Sequence, residues 1–262
     1  MLNRIGRVVF PVVVTAGFAL SAGDGVASTL PAHELENDGY TLLGKKWGNP
    51  ALGTPGGVVT YSFMPTGASC GLEYTGCTVT SFSDMFATLT GWADVVTDAF
   101  AAWSSVADIS FVQVADHGGD FNASGAYGDI RMGGHSMGER GRSLAHAFAP
   151  PPNGTSAAGD IHLDTEEPWA IGFGGLGFDL FQILTHEIGH SIGLGHSPST
   201  EALMYGIYTT RFRGLQTEDI LGAVAIYGAA PVSNVPLPAS LPLMLGGVAL
   251  MGMLRLPRRI MG

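Results

Sequence analysis

Residues 186–196 read HEIGHSIGLGH, and this stretch says more about the fold than any other part of the 262-residue chain. His186 and His190 are four positions apart, so a helix places both imidazoles on one face, where they can bind one metal ion. Gly193 can adopt the positive φ that ends a helix and turns the chain, which brings His196 towards the same ion. Three histidines then fill three corners of a tetrahedral site and leave the fourth for water.

Glu187 follows the first of these histidines and lies within reach of a water in the fourth position. A zinc ion lowers the pKa of such a water towards ~7 and polarises a carbonyl group, and a neighbouring carboxylate can take the proton as general base. This combination is suited to hydrolysis of a peptide bond. The short HExxH form also occurs by chance on ordinary helices, but the five fixed positions present here make a chance match rare.

The motif resembles the zinc-binding sequence of metzincins, and its surroundings are similar to the matrixin branch of that group. Ser197 follows the third histidine. Met204 lies eight residues beyond His196, at the Met-turn position, and Gly206 stands where other branches place a tyrosine ligand. Residues 215–228 resemble the closing helix of matrixins, so the resemblance covers about residues 45–228. It implies an α+β, zincin-like domain with a twisted five-stranded, mostly parallel sheet and three helices, and Met204 as the apolar floor beneath the metal.

The spacing of apolar residues supports such an arrangement. They recur at three- and four-residue steps from Trp92 to Val106, which predicts a long amphipathic core helix. A further helix is expected over about residues 178–192, and Thr217 is expected to cap a last helix that ends at Gly228. β-rich segments predict strands at residues 58–63, 109–114, 129–132 and 145–148.

A second set of candidate ligands lies upstream. Residues 144–148 (LAHAF) and 159–169 (GDIHLDTEEPW) resemble the segments with which matrixins bind a structural zinc and calcium ions. Alternation along a strand supports the grouping, because His162 and Asp164 are two residues apart and therefore share a face. A solvated acidic loop with two surface histidines is the alternative. By the resemblance, the ligands are His146 and His162 for zinc, Asp164 and Glu167 for calcium, and Asp160 with Asp129 for a second calcium.

The chain departs from the family just before these segments. Matrixins supply two further zinc ligands there from a His-Gly-Asp stretch, and only His135 of this chain matches it. His135 is therefore expected as the third ligand, and the fourth is unassigned. Residues 117–120 (HGGD) are a rival source. The glycine-rich calcium loop retains Gly138, Glu139 and Gly141 as candidates.

The resemblance also implies a substrate pocket between the zinc-binding helix and the segment after Met204. Tyr208 matches a residue of the pocket wall, while Gly206 replaces a proline of the family. Gln182 lies about one turn before His186 and is expected near the pocket floor. This amide predicts a pocket that is neither very deep nor purely apolar.

Cys70 and Cys77 are the two cysteines of the chain. In an exported protein, a pair so close in sequence predicts a small disulfide loop, with two free thiols as the alternative. Neither cysteine has the neighbours of a catalytic nucleophile.

Both ends of the chain have the character of targeting segments. Residues 1–27 combine two arginines, an apolar stretch and small residues, which is the plan of a secretory signal peptide, with an uncleaved anchor as the alternative. Residues 235–262 begin with VPLPA, continue into a short apolar stretch and end in a basic tip. This order resembles the VPLPA variety of the PEP-CTERM sorting signals of Gram-negative bacteria, and a simple membrane anchor is the alternative.

The sorting resemblance implies an exosortase-like protease as partner, transient membrane association, and delivery to the cell envelope or the extracellular space. The rest of the chain is divided into a linker over residues 28–48, a catalytic domain over 49–228 and a second linker over 229–234.

The charge balance limits the partners. Acidic residues outnumber basic ones by 22 to 12, a balance that repels phosphate backbones and excludes nucleic acid. We therefore expect a secreted zinc endopeptidase that acts on a protein or peptide, with a second, structural zinc and calcium. One alternative is a metal-stabilised extracellular surface- or matrix-binding protein with little or no turnover. A non-peptidase zinc hydrolase is another, but the Met-turn and the long histidine spacing count against it.

Overall fold

A computed structural model describes residues 35–37, 39–125, 127–138, 140–151 and 156–231. The described residues up to Ala230 form one compact unit, and of a separate unit over residues 231–262 only Pro231 is described. The strands are β1 (Leu35–Asn37), β2 (Tyr40–Leu42), β3 (Gly57–Phe63), β4 (Ile109–Gln113), β5 (Ile130–His135), β6 (Ala145–Ala147), β7 (Ile161–Asp164), β8 (Trp169–Ala170) and β9 (Phe178–Asp179). The helices are α1 (Phe82–Met85), α2 (Trp92–Ser104), α3 (Leu180–Ser191) and α4 (Thr217–Tyr227).

The main sheet of the described residues has five strands in the order β4-β3-β5-β7-β6. The first four are parallel, and β6 runs antiparallel to its neighbour β7. Strands β5, β6 and β7 are buried along their whole length, as expected where both faces of a sheet are covered. The predicted five-stranded, mostly parallel sheet is confirmed.

Helices α2 and α3 pack against each other and against the sheet. The buried residues of α2 include Val96, Phe100 and Trp103, at the three- and four-residue steps that predicted this helix. The indole of Trp103 also donates a hydrogen bond to the carbonyl of Thr185 on α3, at 2.9 Å. The three long helices α2, α3 and α4 agree with the expected fold, and the structure adds the four-residue helix α1.

Two helices begin at other places than predicted. Helix α3 begins at Leu180, because the two residues before it form β9 and pair with β8. Helix α4 is capped by Gln216, and Thr217 is its first helical residue. The reason is a capping box in which Asp219 accepts a hydrogen bond from the backbone N–H of Gln216, at 2.7 Å.

The linker predicted over residues 28–48 differs from the structure at its carboxyl end. Leu42 and Trp47 are buried in the core of the domain. Leu42 pairs with Leu194 in an antiparallel bridge, and the Trp47 indole donates to the last carbonyl of α3, at 2.8 Å. These apolar side chains cover the end of α3, so the packed domain begins before residue 49.

The predicted signal peptide over residues 1–27 and the sorting segment over 235–262 lie outside the described residues. Of the second predicted linker, residues 229–231 are described, and Ala229 pairs with Ala107 in a β-bridge. In the described part of the chain, no helix is both long and apolar enough to cross a membrane.

Candidate metal centres

The first centre is built on α3. His186 and His190 are buried there, and their Nε2 atoms lie 3.1 Å apart. The Nδ1 of each ring donates at 2.8 Å to a backbone carbonyl, that of Leu203 for His186 and that of Leu194 for His190. Because these bonds keep the hydrogen on Nδ1, the Nε2 lone pairs are directed into the centre, where a metal ion can accept them.

The turn after α3 brings His196 to the same centre. Gly193 has a φ of +109°, and a Cβ on it would lie 2.2 Å from the carbonyl oxygen of Lys45, so only glycine fits. The Nε2 of His196 is buried and has no hydrogen-bond partner. One ligand atom from each of His186, His190 and His196 lies within 4.8 Å of the other two. The structure thus brings the three predicted ligands together.

Glu187 is only 1% exposed, and neither of its carboxylate oxygens has a hydrogen-bond partner. Burial raises the pKa of Glu187 well above its usual value. Burial also lowers the pKa of His190 to about 3 and that of His196 to about 4, which keeps both rings in the neutral form that binds metals. A buried carboxylate without a partner is costly, and a nearby cation would offset that cost.

Met204 packs closely against α3. A Cβ on Gly189 would lie 2.3 Å from the Met204 sulfur, so glycine at this position lets the methionine approach the helix. Asp219 on α4 accepts hydrogen bonds from the backbone N–H groups of Leu203 and Met204, at 2.8 and 2.9 Å. The Leu203 carbonyl in turn accepts from His186, so α4 helps to orient the first centre.

The second centre lies across three neighbouring strands. His135 ends β5, His146 is the middle residue of β6, and His162 lies opposite His146 on β7. All three are buried, and the ring of His162 lies 5.1 Å from each of the other two, centroid to centroid. Burial lowers the pKa of His162 to about 3 and also lowers that of His135. The three histidines named from the sequence therefore form one cluster.

Glu73 is the fourth member of this cluster, and the sequence did not point to it. Its Oε1 lies 3.0 Å from Nε2 of His146 and 3.4 Å from Nδ1 of His162. Burial acts to raise the pKa of Glu73, but its interactions with the two histidines outweigh that effect and hold the pKa well below its usual value. The rival segment at residues 117–120 contributes no member to the cluster.

Glu73 comes from a loop closed by the predicted disulfide, which the structure contains between Cys70 and Cys77. An acidic residue between two cysteines was the available sequence signal. That signal does not identify Glu73 as a ligand, because nothing in the sequence shows that this loop lies over β6 and β7.

The acids expected to bind calcium are also buried. Asp164 accepts hydrogen bonds from two backbone N–H groups through Oδ1, at 3.0 and 3.1 Å, whereas its buried Oδ2 has no partner. Glu167 accepts from the backbone N–H of Gly141, and burial raises its pKa. Among the other calcium-loop candidates, Gly138 is exposed and Glu139 lies outside the described residues.

The two acids predicted for a second calcium are held by different strands. Asp160 is fully buried, and its Oδ1 accepts from the N–H of Arg131 on β5, at 2.7 Å, while Oδ2 has no partner. Burial raises its pKa well above the usual value. Asp129 is exposed and accepts from the N–H and hydroxyl of Thr60 on β3, at 2.8 and 2.7 Å. A calcium site shared by Asp129 and Asp160 stays a prediction.

The two residues predicted for the substrate pocket have different surroundings. Tyr208 lines a cavity of about 200 Å³ together with residues of the segment 173–178, and its hydroxyl accepts from the N–H of Asp179, at 3.1 Å. Gln182 is buried, and its side chain donates to the carbonyl of Phe212, at 3.1 Å. Gln182 is not among the residues that line this cavity.

Residues 78–228 match the model of the matrixin family, peptidase M10. The chain is 39% identical over 142 residues to karilysin of Tannerella forsythia, an alignment that covers 54% of the chain and 29% of karilysin. It is 36% identical over 156 residues to stromelysin-2 of Rattus norvegicus, covering 55% of the chain and 30% of the relative. It is 38% identical over 147 residues to interstitial collagenase of Bos taurus, with the same coverage of 55% and 30%. The chain thus spans about three tenths of the length of these curated relatives.

Proposed function

Because the chain belongs to the matrixin family, we propose that it is an exported zinc-dependent endopeptidase in which Glu187 is the general base. The observation that carries this proposal is the first centre, where three histidine nitrogens converge on α3 beside a buried carboxylate that has no hydrogen-bond partner. A purely structural metal site has no need of that carboxylate, whereas hydrolysis does.

The ligand atoms of the first centre fit zinc. Three neutral imidazoles with an open fourth position are the pattern of a catalytic rather than a structural zinc site. Bound zinc would supply a water of lowered pKa and polarisation of the substrate carbonyl. The histidines hold and orient the site, and Glu187 would take a proton from water and pass it to the leaving amine.

At the second centre, we propose that His135, His146 and His162 bind a structural zinc, and that Asp164 and Glu167 bind calcium. The support is that one buried oxygen of Asp164 has no hydrogen-bond partner, as expected of a group that binds a cation. The assignment of Asp129 and Asp160 to a second calcium is supported by the family resemblance and by the unpartnered oxygen of Asp160.

Export is proposed from the two ends of the chain and is favoured by the Cys70–Cys77 disulfide, since such bonds persist outside the reducing cytosol. Processing by an exosortase-like sorting protease and delivery to a Gram-negative cell envelope rest on residues 235–262. We expect the mature protein to have lost both ends, and mass spectrometry of the protein from its own cells would show the two termini directly.

The endopeptidase proposal is tested by cleavage of a fluorogenic peptide library with the full-length, zinc-loaded protein. We expect cleavage that stops on addition of a chelator and returns with zinc. In Glu187→Gln the rate should fall by about 10²–10⁴-fold, because the base is lost while the shape is kept. Glu201→Gln is the matched control, since Glu201 is an exposed acid paired with Arg211.

Absence of cleavage by a folded protein that contains zinc would contradict the proposal. It would favour the metal-stabilised binding protein in its place. Cleavage by Glu187→Gln at the rate of the unchanged protein would remove Glu187 from the mechanism while leaving the peptidase activity intact.

A further inference from the structure

The disulfide loop has an unusual distribution of exposure. Between Cys70 and Cys77, every residue is exposed to solvent except Glu73, although Leu72 and Tyr74 are apolar or aromatic and Glu73 is charged. Hydrophobic burial would have produced the opposite arrangement. The inward position of Glu73 therefore needs an attractive partner, and that partner is the histidine cluster.

Of the two distances from Glu73 to the histidines, the longer falls in the range expected between zinc ligands, and the shorter is a hydrogen-bond length. Zinc bonds to nitrogen and oxygen of about 2.0–2.2 Å place tetrahedral ligand atoms about 3.3–3.6 Å apart. The Glu73 Oε1 lies 3.0 Å from Nε2 of His146 and 3.4 Å from Nδ1 of His162. One ligand atom from each of the four residues, His135 included, lies within 4.8 Å of the others.

Contacts with neighbouring groups fix the orientations of the three imidazoles. His135 uses Nδ1 to contact the carbonyl of Ser136 at 2.9 Å, which leaves its buried Nε2 without a hydrogen-bond partner. The ring of His162 packs edge-on against Phe121, and that of His146 packs edge-on against Phe148. A cleft of about 530 Å³, lined by Glu73, His135 and His146 among others, gives a metal ion a path to the cluster.

The loop that carries Glu73 is held mainly at its base. Both cysteines are buried in a small core cluster, where backbone bonds join Cys70 to Cys77 and Glu73 to Cys70, at 3.1 and 2.9 Å. A short loop without a crosslink must be ordered at an entropic cost, and the disulfide lowers that cost in advance. The crosslink therefore restricts the conformations open to the loop that carries Glu73.

We propose that Glu73 is the fourth ligand of the structural zinc, and that the Cys70–Cys77 disulfide presets it for that role. The proposal rests on the histidine zinc site proposed above, but it does not depend on peptidase activity. Glu73 precedes residues 78–228, which match the family model, so an element outside the matched region would supply the fourth ligand that the stretch around His135 leaves unassigned.

The test measures zinc release in the full-length protein carrying His196→Ala, which removes a ligand of the first centre and prevents self-digestion. A colorimetric chelator is added to the zinc-loaded protein, and the rate of release is recorded. We expect one retained zinc in this background. Adding Glu73→Gln should accelerate its release at least ~10-fold, since even loss of an outer-shell partner costs a metal site that much. Adding the control change Glu201→Gln should leave the rate unchanged.

Three results would overturn the proposal, and they can be told apart. Failure of the His196→Ala protein to retain any zinc would disprove the second zinc site itself. Equal release rates with and without Glu73→Gln would show that Glu73 does not bind the zinc, and would leave the histidine site itself intact. If Cys70→Ser with Cys77→Ser left the rate unchanged, the presetting role of the disulfide would be disproved.

A second measurement covers the case in which Glu73→Gln perturbs folding. Cobalt is loaded in place of zinc into the His196→Ala protein, with and without Glu73→Gln. The visible absorption of cobalt, which is sensitive to the ligand set, is then compared between these two proteins. A changed spectrum, with unchanged circular dichroism, is expected if Glu73 binds the metal. Identical spectra would count against ligation whatever the release rates.

Discussion

Gly189 shows how a single missing side chain positions the first centre. It lies between the two metal-facing histidines of α3, and a Cβ on it would be 2.3 Å from the Met204 sulfur and 3.0 Å from the Trp103 ring. A Cβ at Gly189 would therefore press on both the segment that carries Met204 and helix α2. Close packing of this kind leaves little room for relaxation.

We therefore predict that Gly189→Ala destabilises the protein by about 1–3 kcal/mol, the range typical of an overpacked core. Urea unfolding monitored by circular dichroism would measure the effect. Gly174→Ala is the control, because a Cβ at Gly174 would meet nothing within 4 Å. If the two variants unfold at the same urea concentration, Met204 is not packed as the structure shows.

Helix α4 supports the first centre although it contributes no ligand. Its Asp219 is 1% exposed and accepts backbone hydrogen bonds from Leu203, Met204 and Gln216. These bonds cap the helix and, at the same time, fasten the segment that carries Met204. The carboxylate of Asp219 thus links the start of α4 to the segment that carries Met204.

For this reason we expect Asp219→Asn to cost about 2–3 kcal/mol, because a neutral amide cannot accept all three charge-assisted bonds. Zinc at the first centre should also be released faster, through the loosened Leu203 carbonyl that orients His186. Thermal unfolding and chelator-driven release would measure both effects. Asp98→Asn, on the exposed face of α2, should change neither, and equal behaviour of the two variants would contradict the supporting role.

At the scale of the whole domain, the amino-terminal segment packs against the turn that follows α3. Residues 40–47 lie far from the metal-binding stretch in sequence, yet their backbone pairs with the turn that follows α3: Leu43 donates to Gly193 and Gly195 donates to Thr41, both at 2.8 Å. That turn delivers His196. Integrity of the first centre therefore depends on a segment that contributes no ligand to it.

A chain that begins at residue 49 should accordingly be less stable than one that begins at residue 35. Exposing the surface that Leu42 and Trp47 cover would cost about 3 kcal/mol or more by the burial of apolar area. Urea unfolding and zinc content of the two chains would test this. Equal stability and equal zinc content would show that residues 40–47 are dispensable, as a linker would be.

Features that depend on local spacing follow from the amino-acid order alone. Histidines four residues apart share a helix face whatever surrounds them, and alternation placed His162 and Asp164 on one face of a strand. The apolar periodicity from Trp92 predicted α2 for the same reason. These patterns identified the first centre and α2, whereas His135 and His146 of the second centre were expected from the resemblance to matrixins.

Which distant segments complete the two centres depends instead on how the folded chain packs. Glu73 joins histidines more than sixty residues away along the chain, and residues 40–47 pair with the turn beyond α3. Neither contact has a sequence period, because each arises from how loops pack on the finished sheet and helices. The physical reason is that backbone geometry sets local spacing, whereas contacts across the fold depend on the packing of all the elements together.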